Sequence, residues 1–329
     1  MYNYLTSNIS FIDLCDQLKN EGIKNCDWML YLKNENLINL DPYSNNLSIA
    51  EKCDIVKECY ENPIYFFREV VRVPTYCDIS KFKIYKGTAP KIYCWINNVP
   101  TLTLLYRQSF KTHTSVALAV YEFLFNTNQT ILIQSKSVDE MYDRMKMFSE
   151  MINLLPDYIR AYKEYNPTLK RQCSLLVNKV SNNVIHVGHS IRNSEESFIN
   201  AATGIGNNTI ILFDNIVESQ FFHKFIKEIA PLILENKIFV DFNSIYFEDS
   251  IALRDMWNST HWNDMFYDIT IDHLTNIGKG HIPQITIHYE PEEVLTKKEI
   301  EHNNQVLCND SKLIRQEMCI KPFDTEYKE

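Results

Sequence analysis

Leu104-Leu105-Tyr106-Arg107-Gln108-Ser109-Phe110-Lys111-Thr112-His113-Thr114 is the stretch on which the fold turns. An apolar run at 102–105 leads into it, and a helical pattern over 111–125 leads out. A phosphate-binding turn belongs at such a junction: the free N–H groups of a helix start face the anion, a lysine reaches the β- and γ-phosphates, and a hydroxyl meets Mg²⁺. Lys111 and Thr112 supply the lysine and the hydroxyl. Phe110 stands where such a turn ordinarily has glycine, the residue that takes positive φ freely and lets backbone approach a ligand. A Lys-Thr pair also opens many ordinary solvated helices, so it needs support from elsewhere in the chain.

Support comes about a hundred residues downstream. Ile210-Ile211-Leu212-Phe213-Asp214 is an apolar strand ending in a carboxylate, the arrangement in which an Asp holds the Mg²⁺ water shell. The next position ordinarily carries the Glu that orients the attacking water. Here it is Asn215, which hydrogen-bonds water but accepts no proton from it. Glu218, four residues past Asp214, is a candidate substitute, displaced by about a helical turn.

Between and around these stretches, short apolar runs at 102–105, 130–133, 184–187, 209–213 and 238–242 alternate with helical patterns at 111–125, 138–155 and 220–234. The middle helix has Ser137 and Glu140 at capping-box spacing, Met141, Met145, Phe148, Met151, Ile152 and Leu155 on one stripe, and Pro156 after it. Apolar strands alternating with helices predict an α/β fold: a parallel sheet covered on both faces, with residues 102–105 and 209–213 as neighbouring central strands around one cleft. A small helical region precedes it, with Ser10 as cap of a helix bearing Phe11, Leu14, Cys15 and Leu18, and a second helix over 48–71 ending before Pro74. Residues 285–289 form a further strand candidate, and 293–301 and 312–318 short helices. The expected organisation is a helical region at 1–74, the α/β domain at 75–320 and a charged tail at 321–329.

Composition narrows the chemistry. Seven glycines in 329 residues is roughly 2% against an average of about 7%, and none lies between Gly87 and Gly188. Thirty-three Lys and Arg against 42 Asp and Glu leave a net charge of -9, so any nucleic-acid contact must come from a local patch. The nine cysteines are scattered without a C-x-x-C pair, as expected of reduced thiols in a cytosolic compartment. No apolar run approaches the ~18 residues of a membrane span, and no N-terminal signal pattern is visible.

The resemblance becomes specific once more of the chain is quoted. Asn62-Pro63-Ile64-Tyr65-Phe66-Phe67-Arg68-Glu69-Val70-Val71-Arg72-Val73-Pro74, Ile84-Tyr85-Lys86-Gly87, Ile92-Tyr93-Cys94-Trp95-Ile96-Asn97, Arg107-Gln108 before Lys111-Thr112, Leu154-Leu155-Pro156-Asp157-Tyr158 and Asp214 follow one another in an order that resembles the ATPase half of tailed-phage terminase large subunits, especially those of large and crAss-like phages. The match covers roughly residues 50–320. It implies a P-loop NTPase fold of the ASCE type and a role in ATP-driven packaging of double-stranded DNA into a capsid. It also implies nucleotide contacts by Arg107, Gln108, Ser109, Phe110, Lys111 and Thr112, and Mg²⁺ contacts by Thr112 and Asp214. The departures fall on the chemistry: Phe110 replaces the loop glycine, Lys91 stands at the adenine-side Gln position, Asn215 replaces the Glu, and the coupling motif has become Val240-Asp241-Phe242-Asn243-Ser244. The nuclease domain of the family does not follow, so no DNA cleavage is expected.

Retained scaffold with lost catalytic groups predicts a pseudo-ATPase that binds nucleotide at most. An active packaging motor and a structural virion or regulatory protein remain the alternatives. Portal, small terminase or an active terminase paralogue are the implied partners, in the infected host's cytoplasm or on the virion, with no membrane. Duplex DNA should bind weakly to the isolated chain, and Lys163, Lys170 and Arg171 are the candidate contacts. His186 and His189 sit at a spacing that puts them on opposite strand faces and away from a common metal. Tyr65, Phe66 and Phe67 are expected in the core, and Asp264, Asp268 and Asp272 as surface charges.

Overall fold

The computed structural model describes residues 6–23, 26–74, 79–99, 101–104, 110–135, 137–162, 175–178, 180–189, 209–214, 239–244, 266–267, 284–286 and 301. Among these, the apolar runs become the strands β3 (Thr101–Leu104), β4 (Thr130–Ser135), β6 (Asn183–His189), β7 (Ile210–Asp214), β8 (Phe239–Ser244) and β10 (Gln284–Thr286). With β5 (Leu175–Asn178) and β9 (Phe266–Tyr267) they form one eight-stranded sheet in the order β5-β6-β4-β7-β8-β3-β10-β9. Every pairing is parallel except β5 with β6, an antiparallel edge. The parallel strands are buried as expected: β7 has no exposed residue, and in β4 only Thr130 is partly exposed.

One expected pairing fails. β3 and β7 are not neighbours, because β8 lies between them and pairs in parallel with both. Two strands can present groups to one ligand from their carboxyl ends without touching. The intervening strand adds about 4.8 Å of separation, which the helix following β3 spans.

That helix is α5 (Lys111–Phe125), buried at every residue from Thr114 onward. A helix apolar on all sides needs cover on all sides. It packs against β6 and β8 on the sheet, and against α4 (Thr88–Ile96) and α6 (Val138–Asn153). Ser137 caps α6, its Oγ accepting from the Glu140 N–H at 3.2 Å, and Met141, Met145, Phe148, Met151 and Ile152 are buried along the expected stripe.

The helical region before the sheet differs from expectation at two points. Helix α1 (Ile9–Asn20) begins behind Asn8, not Ser10. The Asn8 side chain donates to the Arg68 and Phe82 carbonyls, both at 2.8 Å, and accepts from Ser10 Oγ, so it anchors the helix start to the core rather than capping it. The helix expected over 48–71 is interrupted: α2 (Ile49–Glu61), with a full capping box between Ser48 and Glu51, stops at Asn62 because Pro63 has no N–H to continue it. The chain resumes as α3 (Pro63–Tyr65) and a π-helical turn over Phe66–Val70.

That wide turn directs Phe66 and Phe67 into an aromatic cluster with Trp95, Tyr121 and Phe125, whose ring centroids lie 5.0–6.1 Å apart. Tyr65, Phe66 and Phe67 are fully buried, as the sequence predicts. One hydrophobic cluster runs from Phe11 and Leu14 through these rings to Ile133, Ile185 and Leu212 of the sheet. A two-stranded antiparallel ribbon, β1 (Arg72–Pro74) with β2 (Ile79–Lys81), lies beside α6 and the π-helical turn. The five described cysteines are free thiols, and no helix among the described residues is long and apolar enough to cross a membrane.

Candidate functional site

Phe110 adopts the left-handed conformation at the N-cap of α5, with φ 62° and ψ 10°. The backbone thus makes the bend that glycine would make freely, and a bulky residue in this region costs roughly 1–2 kcal/mol. Packing holds it there. The ring stacks on His113 at 4.6 Å and meets Tyr85 and Phe82 at 5.6 and 6.5 Å, while the Phe110 carbonyl accepts from both the N–H and the hydroxyl of Thr114 at 2.9 Å.

In the first turn of α5, the Thr112 hydroxyl reaches the carboxylate ending β7, 3.0 and 3.2 Å from the two oxygens of Asp214. The two residues are 102 positions apart in sequence, and the fold joins them as expected. A third group was not foreseen. Arg144, on the buried stripe of α6, donates from Nε to Asp214 Oδ2 at 2.6 Å, with only 2% of the Asp214 side chain exposed. A signal was present in the sequence: an arginine at i+3 from Met141 and i−4 from Phe148 lies on an apolar stripe, and a buried arginine requires an acid.

Beneath the same turn, Lys91 of α4 is 1% exposed, its ammonium donating to Ser115 Oγ at 2.6 Å and to the Lys111 carbonyl at 3.5 Å. Lys111 is also buried. Positive charge therefore comes to this helix start from α4, α5 and α6 together, and adds to the field of the helix N-terminus. His113 senses the same charges: burial pushes its pKa below the usual 6.5, the Arg144 charge lowers it further, and Asp214 opposes them.

The strand register reveals a further pattern. Thr103 of β3, Asn243 of β8, Asp214 of β7, Ser135 of β4 and His189 of β6 are aligned partners, forming one row across the carboxyl ends of five parallel strands. Two residues back, the row is apolar at Leu212, Ile133 and Val187. Thr103 and Ser135 are fully buried, and neither hydroxyl has a hydrogen-bond partner among the described residues. Sequence reasoning missed the row because it exists only once the strands are aligned.

Oxygen donors of the type Mg²⁺ prefers are present in Thr112 and Asp214. Their arrangement does not fit a metal, because the Arg144 guanidinium already pairs with the buried Asp214 carboxylate and a divalent ion there would sit beside a like charge. Among the described residues, the three-residue group that could hold a metal is Cys15, Cys26 and Asp27 in the helical region. There each thiol donates to the other cysteine's carbonyl and Asp27 pairs with Lys19. Arg107, Gln108, Ser109, Asn215, Glu218, Lys163, Lys170 and Arg171 lie outside the described residues, as do Asp264, Asp268, Asp272 and the helix expected over 220–234.

Neither a protein-family model nor a curated protein matches the sequence. Solved structures do. The large terminase of bacteriophage HK97 superposes with a TM-score of 0.54 at 10% identity, over 79% of this chain and 54% of that one. The large terminase ATPase domain of Thermus phage P74-26 gives 0.49 at 13% identity, over 69% of this chain and 89% of that domain. The large terminase of a thermophilic bacteriophage, in complex with ADP, gives 0.42 at 12%, over 69% and 49%. The chain spans about half the length of the HK97 protein. At such identities the likeness is one of architecture, and this chain shares its α/β fold with part of the HK97 large terminase.

Proposed function

We propose that this chain is a terminase-type protein of viral DNA packaging that binds nucleotide phosphates and turns them over slowly or not at all. The observation that carries the proposal is the meeting of Thr112 and Asp214 at one helix start, with Lys91 and Lys111 buried beside it. An anion fits a helix N-terminus furnished with lysine ammonium groups, and the sequence resemblance to terminase ATPases around Lys111-Thr112 favours a nucleotide as that anion. Impaired turnover follows from residue identity. Asn215, next to Asp214, cannot accept a proton, and loss of a general base or water-positioning group costs about 10² to 10⁴ in rate.

In this proposal Arg107, Gln108, Ser109 and Lys111 contact phosphates, while Phe110 keeps the left-handed bend at the start of α5. Portal, small terminase or an active paralogue would supply the setting, in the infected cell or on the virion. Duplex DNA would bind weakly through Lys163, Lys170 and Arg171, given the net charge of -9. An active motor, with Glu218 replacing the missing carboxylate, is the competing proposal.

Titration calorimetry with ADP and ATP, followed by phosphate release with and without DNA, separates these cases. Binding without turnover is expected. Phe110→Gly together with Asn215→Glu should restore some hydrolysis, and Asn215→Glu alone should not. Robust turnover by the unaltered chain would overturn the proposal in favour of an active motor.

A further inference from the structure

Asp214 already has a cation. Arg144 donates to Oδ2 at 2.6 Å from the middle of α6, a helix fixed by its cap at Ser137 and by the burial of Met141, Met145 and Phe148 on either side of Arg144 in sequence. The arginine side chain is 13% exposed and Asp214 2%, so solvent screens the pair little. The Thr112 hydroxyl donates to the same carboxylate, 3.0 and 3.2 Å from its two oxygens. The remaining N–H groups of Arg144 have no hydrogen-bond partner among the described residues.

We propose that Arg144 is the resident cation of this site, holding the carboxylate that a divalent ion would otherwise hold, so that the phosphates of a nucleoside di- or triphosphate are taken up without a divalent cation. The proposal rests on the nucleotide-binding role argued above. A divalent ion entering at Asp214 would have to displace the guanidinium from a buried carboxylate and then sit beside a like charge, and both steps oppose binding. A guanidinium also presents several donors in a fixed fork that suits phosphate oxygens, which a bound metal ion would replace rather than complement. Arg144 is thus a residue that sets the metal requirement, distinct from the loop residues that contact phosphate.

The test uses the full chain, with ATP and ADP as probes, by calorimetry in EDTA and in millimolar Mg²⁺. The unaltered protein should bind with dissociation constants that agree within about twofold in the two buffers. Arg144→Gln should weaken binding about tenfold or more in EDTA and recover it when Mg²⁺ is added. Binding by the unaltered protein that is tenfold or more tighter with Mg²⁺ would overturn the proposal.

Absence of nucleotide binding in both buffers would reject the nucleotide-binding role. The cation assignment would then be decided by thermal unfolding without nucleotide. Mg²⁺ should raise the melting temperature of Arg144→Gln, whose Asp214 has lost its partner, but not that of the unaltered chain or of Arg144→Gln/Asp214→Asn. An equal rise in the unaltered chain and in Arg144→Gln, or no rise specific to Asp214, would overturn it. The comparison of the unaltered chain in EDTA and Mg²⁺ requires no variant to fold.

Discussion

At residue scale, Phe110 shows a sequence departing from a rule while the backbone keeps it. Its φ of 62° is that of the glycine it replaces, and ring contacts with His113 and Tyr85 offset the strain. Glycine at this position would lose the ring but relieve the backbone, whereas alanine would lose the ring and keep the strain. Urea unfolding should therefore find Phe110→Gly more stable than Phe110→Ala by about 1 kcal/mol, the reverse of the order inside a helix. Equal stability of the two would mean that the left-handed bend is absent.

Beneath that ring, His113 has its pKa lowered from 6.5 by burial first and then by Arg144. A histidine whose folded pKa lies below its unfolded value favours the folded state while neutral. That contribution is complete above pH 6.5 and declines as the pH falls toward the lowered folded value, since the unfolded chain then binds more protons. Denaturation curves between about pH 7 and pH 5 should lose less stability on acidification in His113→Gln than in the unaltered chain.

At the scale of elements, the site is a convergence of helix starts and strand ends. The helix α5 begins beside the carboxyl ends of β7 and β8, α4 inserts Lys91 beneath its first turn, and α6 brings Arg144 across from the next crossover. Helix α6 depends on its cap, because the Ser137 hydroxyl satisfies an N–H that would otherwise have no intrahelical partner. Ser137→Ala should cost about 1 kcal/mol in urea unfolding and leave the chain folded. If nucleotide binding also weakens, α6 transmits the loss through Arg144.

At the scale of the whole molecule, the helical region and the sheet share one core, and buried polar links tie the segments of the helical region together. Arg68 is fully buried in the π-helical turn, where it donates to Glu69 at 2.8 Å and to the Met29 carbonyl at 2.5 Å. Glu69 in turn accepts from Thr6 at 2.6 Å, and Glu58 accepts backbone N–H bonds from Lys33 and Asn34 at 2.8 and 3.0 Å. Arg68→Ala would strand the Glu69 charge and should destabilise the chain by about 3–5 kcal/mol, far more than a surface arginine. A loss under about 1 kcal/mol would show that Arg68 does not hold these parts together. Among the described cysteines, the same packing leaves Cys53 exposed and raises the pKa of Cys15 to about 12, chiefly by burial.

The sequence by itself determined the elements. Strands and helices alternate where apolar periodicity changes, α5 covers the expected residues, and Thr112 meets Asp214 as a lysine-hydroxyl helix start and a strand-end carboxylate imply. These features were legible because hydrophobic periodicity and turn chemistry are local properties of the chain. Only the tertiary structure decided that β8 separates β3 from β7, that Asn8 rather than Ser10 opens α1, and that the helix expected over 48–71 breaks at Pro63 and ends in a π-helical turn over Phe66–Val70. It alone brought Arg144 to Asp214, Lys91 to Ser115, and five strand ends into one row. Each of these depends on which distant segments pack together, and a buried charge finds its partner by the energy of the whole arrangement, which no window of sequence contains.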